Sequence, residues 1–151
     1  MSKIRFTEPN REILARRDSI INDLTRLVDP AGLITSTDEC RAYETDALTA
    51  YRKMPLAVVL PKTTEEVSAV LKYCHDTGAI PSEDAVVLGL SKMNRVLAVN
   101  YDDRFIRVEA GVTNLSVTAV VAENGFFYAP DPSSQLACTI GGNIANNSGG
   151  A

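Results

Sequence analysis

The chain has 151 residues, of which 45% are hydrophobic and 23% are charged, and its 15 Lys and Arg against 19 Asp and Glu give a formal net charge of −4. This size and balance are typical of one globular domain that buries about two-thirds of its unfolded surface, and they exclude disordered, collagen-like and coiled-coil classes. The basic residues are scattered along the chain, which argues against nucleic acid as a partner.

Targeting and metal-binding patterns are absent from the sequence. No apolar run approaches the roughly 18 residues that a membrane-spanning helix needs, and the first residues lack the apolar core of a signal peptide. Cys40, Cys74 and Cys138 are widely spaced, and His75 is the one histidine, so we predict neither a disulfide framework nor a metal site. We therefore expect a cytoplasmic chain whose chemistry depends on a bound cofactor.

The first predicted element is an amphipathic helix between Thr7 and Val28, where apolar residues recur at steps of three and four. Asp29-Pro30 ends this helix, because a residue that precedes proline avoids helical backbone angles. We expect residues 1–54 to form an N-terminal helical extension to the main domain.

A parallel β-α-β unit is predicted next. The run from Leu56 to Leu60 is apolar without interruption, which is typical of a strand covered on both faces. Thr63 and Glu66 predict a capping box, with the Glu66 side chain returning to the Thr63 N–H, and Gly78 predicts the left-handed end of the helix. Residues 79–81 would form the returning strand.

The segment beyond residue 84 predicts a mixed or antiparallel sheet. Apolar segments occur at 85–90 and 96–99, and residues 105–110 alternate between apolar and charged positions. In this alternation Arg107 and Glu109 would face water, while the apolar residues face the core.

A second surface helix is predicted after the alternating strand. Asn114 would cap its start and Gly125 would end it, and Phe126 to Tyr128 would form a short aromatic strand. Parallel and antiparallel elements thus occur in one chain, so the predicted fold class is α+β.

The last 22 residues differ in composition from the rest of the chain. Charge nearly vanishes, and four of the nine glycines, Gly141, Gly142, Gly149 and Gly150, fall within ten residues. Bare backbone amides can hold phosphates or a polar heteroaromatic ring. The same composition is also typical of a flexible terminal tail, and composition alone does not separate the two.

The order of several motifs is more specific. They are Pro55 to Pro61, Leu88 to Asn94, Val108 to Val112, Pro130 to Ser134, and Cys138 to Ala145. In this order they resemble the FAD-linked oxidases of the vanillyl-alcohol oxidase/p-cresol methylhydroxylase type, with most similarity to the branch of the glycolate oxidase FAD-binding subunit and D-lactate dehydrogenases. The resemblance implies a p-cresol methylhydroxylase-type FAD-binding domain, incomplete, over residues 55–151.

This resemblance implies an FAD-dependent oxidoreductase that moves hydride from a 2-hydroxy acid, of glycolate or D-lactate type, to FAD. The residues that it implies along the FAD are Pro130, Asp131, Pro132, Ser133, Ser134, Thr139, Gly141, Gly142, Asn143, Asn146 and Gly149. Thr139, Gly141 and Gly142 are the first choices, because a hydroxyl and two unobstructed amides suit a flavin edge or a diphosphate. In the structural alternative, Thr139 is a helix N-cap and the glycines are turn residues.

Two departures from the family pattern bear on activity. Relatives carry a glycine-rich diphosphate-binding loop after the strand equivalent to residues 78–81, whereas here Pro81 continues into Ser82-Glu83-Asp84, with no glycine between Gly78 and Gly89. The chain also stops at Ala151, before the family's substrate cap and catalytic base. We therefore assign no catalytic residue, and we expect a truncated, internally deleted domain that is inactive alone.

The resemblance also implies partners. These are FAD, a small 2-hydroxy acid in full-length relatives, and other subunits of an oxidase complex, which would place the chain at the periphery of the inner membrane. The alternative is a non-catalytic remnant that binds no flavin and at most associates with a partner chain through unpaired strand edges.

Overall fold

The computed structural model describes residues 10–45, 52–78 and 85–150. They belong to two compact units, unit 1 at residues 1–89 and unit 2 at residues 90–151. Within the described ranges, no helix is long and apolar enough to cross a membrane.

The sheet of unit 1 is built around a short, completely buried central strand. The elements of this unit are α1 Arg11–Ala15, α2 Arg17–Leu27, β1 Leu33–Ile34, α3 Thr37–Cys40, β2 Ala57–Val59, α4 Thr64–Thr77 and β3 Val86–Leu88, with 3-10 turns at Pro30–Gly32 and Arg41–Tyr43. Strand β2 pairs antiparallel with β1 and parallel with β3. All residues of β2 are buried, which confirms the strand predicted there.

Helix α4 is the crossover between the parallel strands β2 and β3, which confirms a β-α-β unit. The helix begins where Thr63 Oγ1 accepts the Glu66 N–H at 3.2 Å, and it ends where Gly78 adopts φ +73°. The Glu66 carboxylate accepts the Lys62 N–H at 2.7 Å, so the return bond of the predicted capping box reaches one residue further back. The predicted returning strand at 79–81 lies outside the described residues, and the observed one is β3.

The core of unit 1 joins α2 to the sheet. Ile20 and Leu24 of α2 pack in one buried cluster with Val59 of β2 and Val70 of α4. The single helix predicted up to Val28 is in fact two, because the Arg16 N–H bonds to the Ile13 carbonyl only three residues back and interrupts the helical pattern. Residues on both sides of position 54 contribute to this core, and the division into 1–54 and 55–151 stays a prediction.

Unit 2 combines a two-stranded sheet with two helices. Its elements are β4 Val96–Asn100, β5 Phe105–Val108, α5 Asn114–Val121 and α6 Ile140–Ala145, with a 3-10 turn at Ala122–Asn124. Strands β4 and β5 pair antiparallel, with a register shift between Val96 and Ala98. Helix α6 lies in the glycine-rich segment and begins after Thr139, as in the alternative that makes Thr139 a helix N-cap.

Three predictions for unit 2 are wrong in detail. Glu109, expected to face water, is 9% exposed, because β5 ends at Val108 and the Glu109 carboxylate binds Arg95. Thr113 caps α5 in place of Asn114, since its hydroxyl accepts the Ser116 N–H at 3.2 Å. Residues 126–128 form no strand, because no ladder partner lies beside them among the described residues. Gly125, at φ +76°, ends the helical segment as predicted.

Candidate functional site

An open cleft of about 640 Å³ lies in unit 2, within the size range of small-molecule sites. Three stretches of chain line it: residues 90–94 before β4, residues 111–116 from the turn after β5 into the first turn of α5, and residues 139–145 at α6. The lining residues are Leu90, Ser91, Asn94, Gly111, Val112, Thr113, Ser116, Thr139, Gly141, Gly142 and Ala145.

Gly111 allows two walls of the cleft to meet. Its N–H donates to the Met93 carbonyl at 2.8 Å. A Cβ atom at this position would lie 2.2 Å from the Leu90 carbonyl oxygen, so any larger residue would push the walls apart. Glycine is therefore required here by the close approach of two backbone segments.

An ion pair holds the same two walls. The Glu109 carboxylate accepts hydrogen bonds from the Arg95 backbone N–H at 2.8 Å, from Nε at 3.0 Å and from Nη2 at 2.6 Å. The side-chain hydrogen bond from Arg95, followed by its backbone N–H, lowers the pKa of Glu109. The same hydrogen bond raises the pKa of Arg95, so both groups stay charged near neutral pH.

The first turn of α6 forms the opposite wall, and its backbone donors are all used within the chain. Thr139 Oγ1 accepts the Gly142 N–H at 3.1 Å, and the Thr139 carbonyl accepts the Asn143 N–H at 2.9 Å. The N–H groups of residues 140 and 141 donate to the carbonyls of Val112 and Ala110, each at 2.8 Å. Thr139 is thus an N-cap, as in the structural alternative, whereas Gly141 and Gly142 are helical and not turn residues. The amides of Gly141 and Gly142 are not open donors.

Asn143 lies in the interior of unit 2. Its Nδ2 donates to Asn114 Oδ1 at 2.6 Å, and Asn114 Nδ2 donates to the Pro130 carbonyl at 3.2 Å. Asn114 and Asn143 are 2% and 8% exposed. This buried amide pair connects α5, α6 and the Pro130 segment, and it places the Asn143 side chain away from the cleft lining.

The other residues of the predicted site lie outside the lining as well. Asp131 forms an isolated bridge with Gly150, and the Asn146 side chain donates to the Gly142 carbonyl. The structure therefore brings Thr139, Gly141 and Gly142 to the cleft. It places the remaining predicted contacts elsewhere in unit 2, namely Pro130, Asp131, Pro132, Ser133, Ser134, Asn143, Asn146 and Gly149.

Ser91 and Asn94 also line the cleft; they belong to the Leu88 to Asn94 motif but are not among the residues predicted to lie along the FAD. Their side chains form no hydrogen bond to another residue in the described part of the chain, so a hydroxyl and an amide are open to a ligand. Their position in a turn between two strands is the signal that could have indicated them. Across the described ranges, no group of three His, Cys, Asp or Glu side chains is arranged to hold a metal ion.

Comparisons with known proteins give a consistent assignment. A family model described as FAD binding domain matches residues 55–151. The glycolate oxidase subunit GlcD of Escherichia coli (strain K12) is 40% identical over a match that covers 89% of this chain and 30% of that protein. A D-2-hydroxyglutarate dehydrogenase of Stutzerimonas stutzeri (strain A1501) is 29% identical, with 87% of this chain and 32% of that protein covered. The chain thus spans about 30% of the length of such curated relatives.

Solved structures share the fold. An alkyldihydroxyacetonephosphate synthase matches with a TM-score of 0.71 at 18% identity, covering 97% of this chain and 32% of that one. A p-cresol methylhydroxylase matches with a TM-score of 0.62 at 21% identity, covering 82% and 28%. These likenesses confirm the predicted p-cresol methylhydroxylase-type α+β fold.

The match to the Escherichia coli protein also contains a gap. It runs over 149 aligned positions, whereas 89% of 151 residues is about 134, which is 15 fewer. About 15 aligned positions of the relative thus have no residue in this chain. The predicted place of an internal deletion, after Pro81, lies outside the described residues, and the deletion stays a prediction.

Proposed function

Because the chain belongs to the FAD binding domain family, we propose that it is the FAD-binding portion of a flavoprotein that oxidises a 2-hydroxy acid of the glycolate or D-lactate type. The observation that carries the proposal is the 40% identity to a glycolate oxidase subunit over 89% of this chain. Relatives named as D-2-hydroxyglutarate dehydrogenases support the same substrate class. Glycolate and D-2-hydroxyglutarate both carry a hydroxyl on the carbon next to a carboxylate.

The cleft of unit 2 fits part of this cofactor. Gly111 and Gly141 leave the backbone walls free of side chains, and Ser91 and Asn94 supply a hydroxyl and an amide that have no partner among the described residues. Such groups suit a flat ring whose edge alternates carbonyl oxygens and N–H groups. We assign the flavin ring to this cleft, with Thr139 and the α6 backbone as one wall.

Bound FAD supplies the acceptor for the hydride that leaves the α-carbon of the hydroxy acid. The hydroxyl proton passes to a base, so that the product is the 2-oxo acid. None of the described residues that line the cleft ionises near neutral pH. We therefore assign binding and orientation to this chain, and proton removal to a residue in the part of the relatives that it does not match.

A titration of the purified chain with FAD tests the proposal. We expect saturable quenching of flavin fluorescence together with a rise of the thermal midpoint. At an FAD concentration of 100 times Kd, ligand binding adds about 2.7 kcal/mol to the free energy of unfolding. A chain of this size then melts roughly 5–10 °C higher.

Two matched variants localise the binding. Ser91→Leu fills the cleft and should abolish both signals, whereas Ser68→Leu on the exposed face of α4 should leave both intact. If the unsubstituted chain shows neither quenching nor a midpoint shift up to millimolar FAD, the proposed function is wrong.

A second candidate function is association with a partner chain without flavin, such as another subunit of an oxidase complex. Among the described residues, strands β4 and β5 form a sheet of two strands, and an isolated sheet of that size is marginally stable in water. Leu97 on β4 and Phe105 on β5 are 51% and 48% exposed, which favours coverage by another chain. Size-exclusion chromatography with light scattering tests this candidate, and a monodisperse monomer that binds FAD would count against it.

A further inference from the structure

We infer that the cleft of unit 2 recognises the uncharged part of a flavin, its ring and ribityl hydroxyls, and gains nothing from the phosphates. Riboflavin and FAD should therefore bind this chain with similar affinity. The inference rests on the proposed flavin-binding function and specifies which part of the ligand is held.

The first observation is the neutrality of the cleft. All of the described residues that line it are apolar, glycine, hydroxyl or amide residues, and none carries a charge. Lys92 and Arg95 belong to the same segment as Ser91, but neither lines the cleft, and the Arg95 guanidinium is bound to Glu109. Protein sites for phosphate groups use cationic side chains or free backbone N–H groups, and here the cationic side chains are missing from the lining.

The second observation concerns the backbone N–H groups. The first four of α6, at residues 140–143, donate to Val112, Ala110 and Thr139, as described above. In α5, Thr113 accepts two of the first four N–H groups, those of Ser116 and Val117. A phosphate at the start of α6 would have to replace hydrogen bonds that already hold the cleft wall, so this helix start is closed to anions.

The third observation is the set of groups that stay open. The Ser91 hydroxyl and the Asn94 amide have no side-chain partner within the described part of the chain. The hydroxyls of Thr113 and Ser116 lie 2.8 Å apart, and because one donates to the other, a single hydroxyl proton of that pair remains for a ligand. Neutral donors and acceptors of this kind match carbonyl, ring N–H and sugar-like hydroxyl groups without the cost of burying an unpaired charge.

Isothermal calorimetry of the full chain with riboflavin, FMN and FAD, at 50 mM and 500 mM salt, tests the inference. We expect the three Kd values to agree within about fivefold and to change little with salt, because salt screens only interactions between charges. A Kd for FAD that is 30-fold or more below that for riboflavin would overturn the inference and leave the proposed function standing. Failure of every flavin to bind would overturn both.

Point variants provide a second readout. Ser91→Ala and Asn94→Ala should each weaken the binding of riboflavin and of FAD by the same factor, about three- to tenfold. This factor corresponds to the loss of one neutral hydrogen bond. Ser68→Ala, on the exposed face of α4, is the matched control and should change neither Kd. If either cleft variant raises the Kd for riboflavin but not the Kd for FAD, the phosphates hold the ligand and the inference is wrong.

Discussion

Asn143→Ala separates a structural role from a ligand contact in the glycine-rich segment. The family resemblance implies that Asn143 lies along the FAD, whereas the structure buries its side chain against Asn114. The substitution removes the donor to Asn114 Oδ1 and leaves that oxygen buried without its partner. A buried polar group that loses its hydrogen bond costs about 1–3 kcal/mol.

The expected loss of stability is large enough to measure by thermal denaturation. A destabilisation of about 2 kcal/mol lowers the thermal midpoint of a chain of this size by roughly 4–8 °C. A double-mutant cycle with Asn114→Ala should give a coupling energy of about 0.5–3 kcal/mol, because the two side chains share one hydrogen bond. Urea denaturation monitored by circular dichroism measures the same free energies independently.

Asn146→Ala is the matched control, because Asn146 is exposed and its side chain donates to the Gly142 carbonyl within its own helix end. We expect a change below about 0.5 kcal/mol for this variant. If Asn143→Ala melts like the unsubstituted chain and loses only FAD affinity, the side chain contacts the ligand and the structural argument is wrong.

Three further predictions concern stability. Leu24→Ala, at a fully buried position of the unit 1 core, should lower the free energy of unfolding by about 2–5 kcal/mol in urea, and an unchanged midpoint would contradict the packing. Gly78→Ala should lower the free energy of unfolding by about 1–2 kcal/mol through its left-handed backbone alone, since a Cβ there meets nothing within 4 Å. Gly149 is equally open but has no positive φ, so Gly149→Ala should cost almost nothing in the same assay. Because Arg95 lowers the pKa of Glu109, the stabilisation from this pair is complete above the usual Glu pKa of about 4.3 and is lost as the pH falls through the lower folded value. The thermal midpoint of the unsubstituted chain should therefore fall below pH 4 more steeply than that of Glu109→Gln, and parallel curves would refute this account.

The elements of unit 1 could be predicted where local signals and burial agree. Strand β2 is apolar at every position and lies between two other strands, and α4 has a hydroxyl at its start and Gly78 at its end. Each signal depends on residues that are close in sequence, so one short segment of the chain is enough to predict the element. Strand β1 has only two residues, Leu33 and Ile34, and they pair with Val59 and Val58, which are 26 and 24 positions away in sequence. No local pattern reveals this pairing.

The predictions failed where a distant partner decides the outcome. Glu109 continues an alternating strand pattern, and only the presence of Arg95 across the sheet end makes its burial favourable. Asn114 and Thr113 are both acceptable N-caps, and the choice depends on Asn143, which lies 29 residues away and occupies Asn114. Charge and capping preferences thus indicate which residues could be buried or could cap a helix, while hydrogen bonds to residues distant in sequence decide which of them do.

The glycine-rich segment shows why the same composition supports opposite conclusions about a site. A bare backbone exposes N–H groups, but whether a ligand can use them depends on carbonyls elsewhere in the chain. Here the carbonyl of Ala110 accepts the Gly141 N–H, and the Ala110 side chain also explains the glycine, since a Cβ at 141 would lie 2.8 Å from the Ala110 Cβ. The glycines therefore bring α6 close to the turn after β5, and the cleft that results offers neutral side chains as its ligand groups.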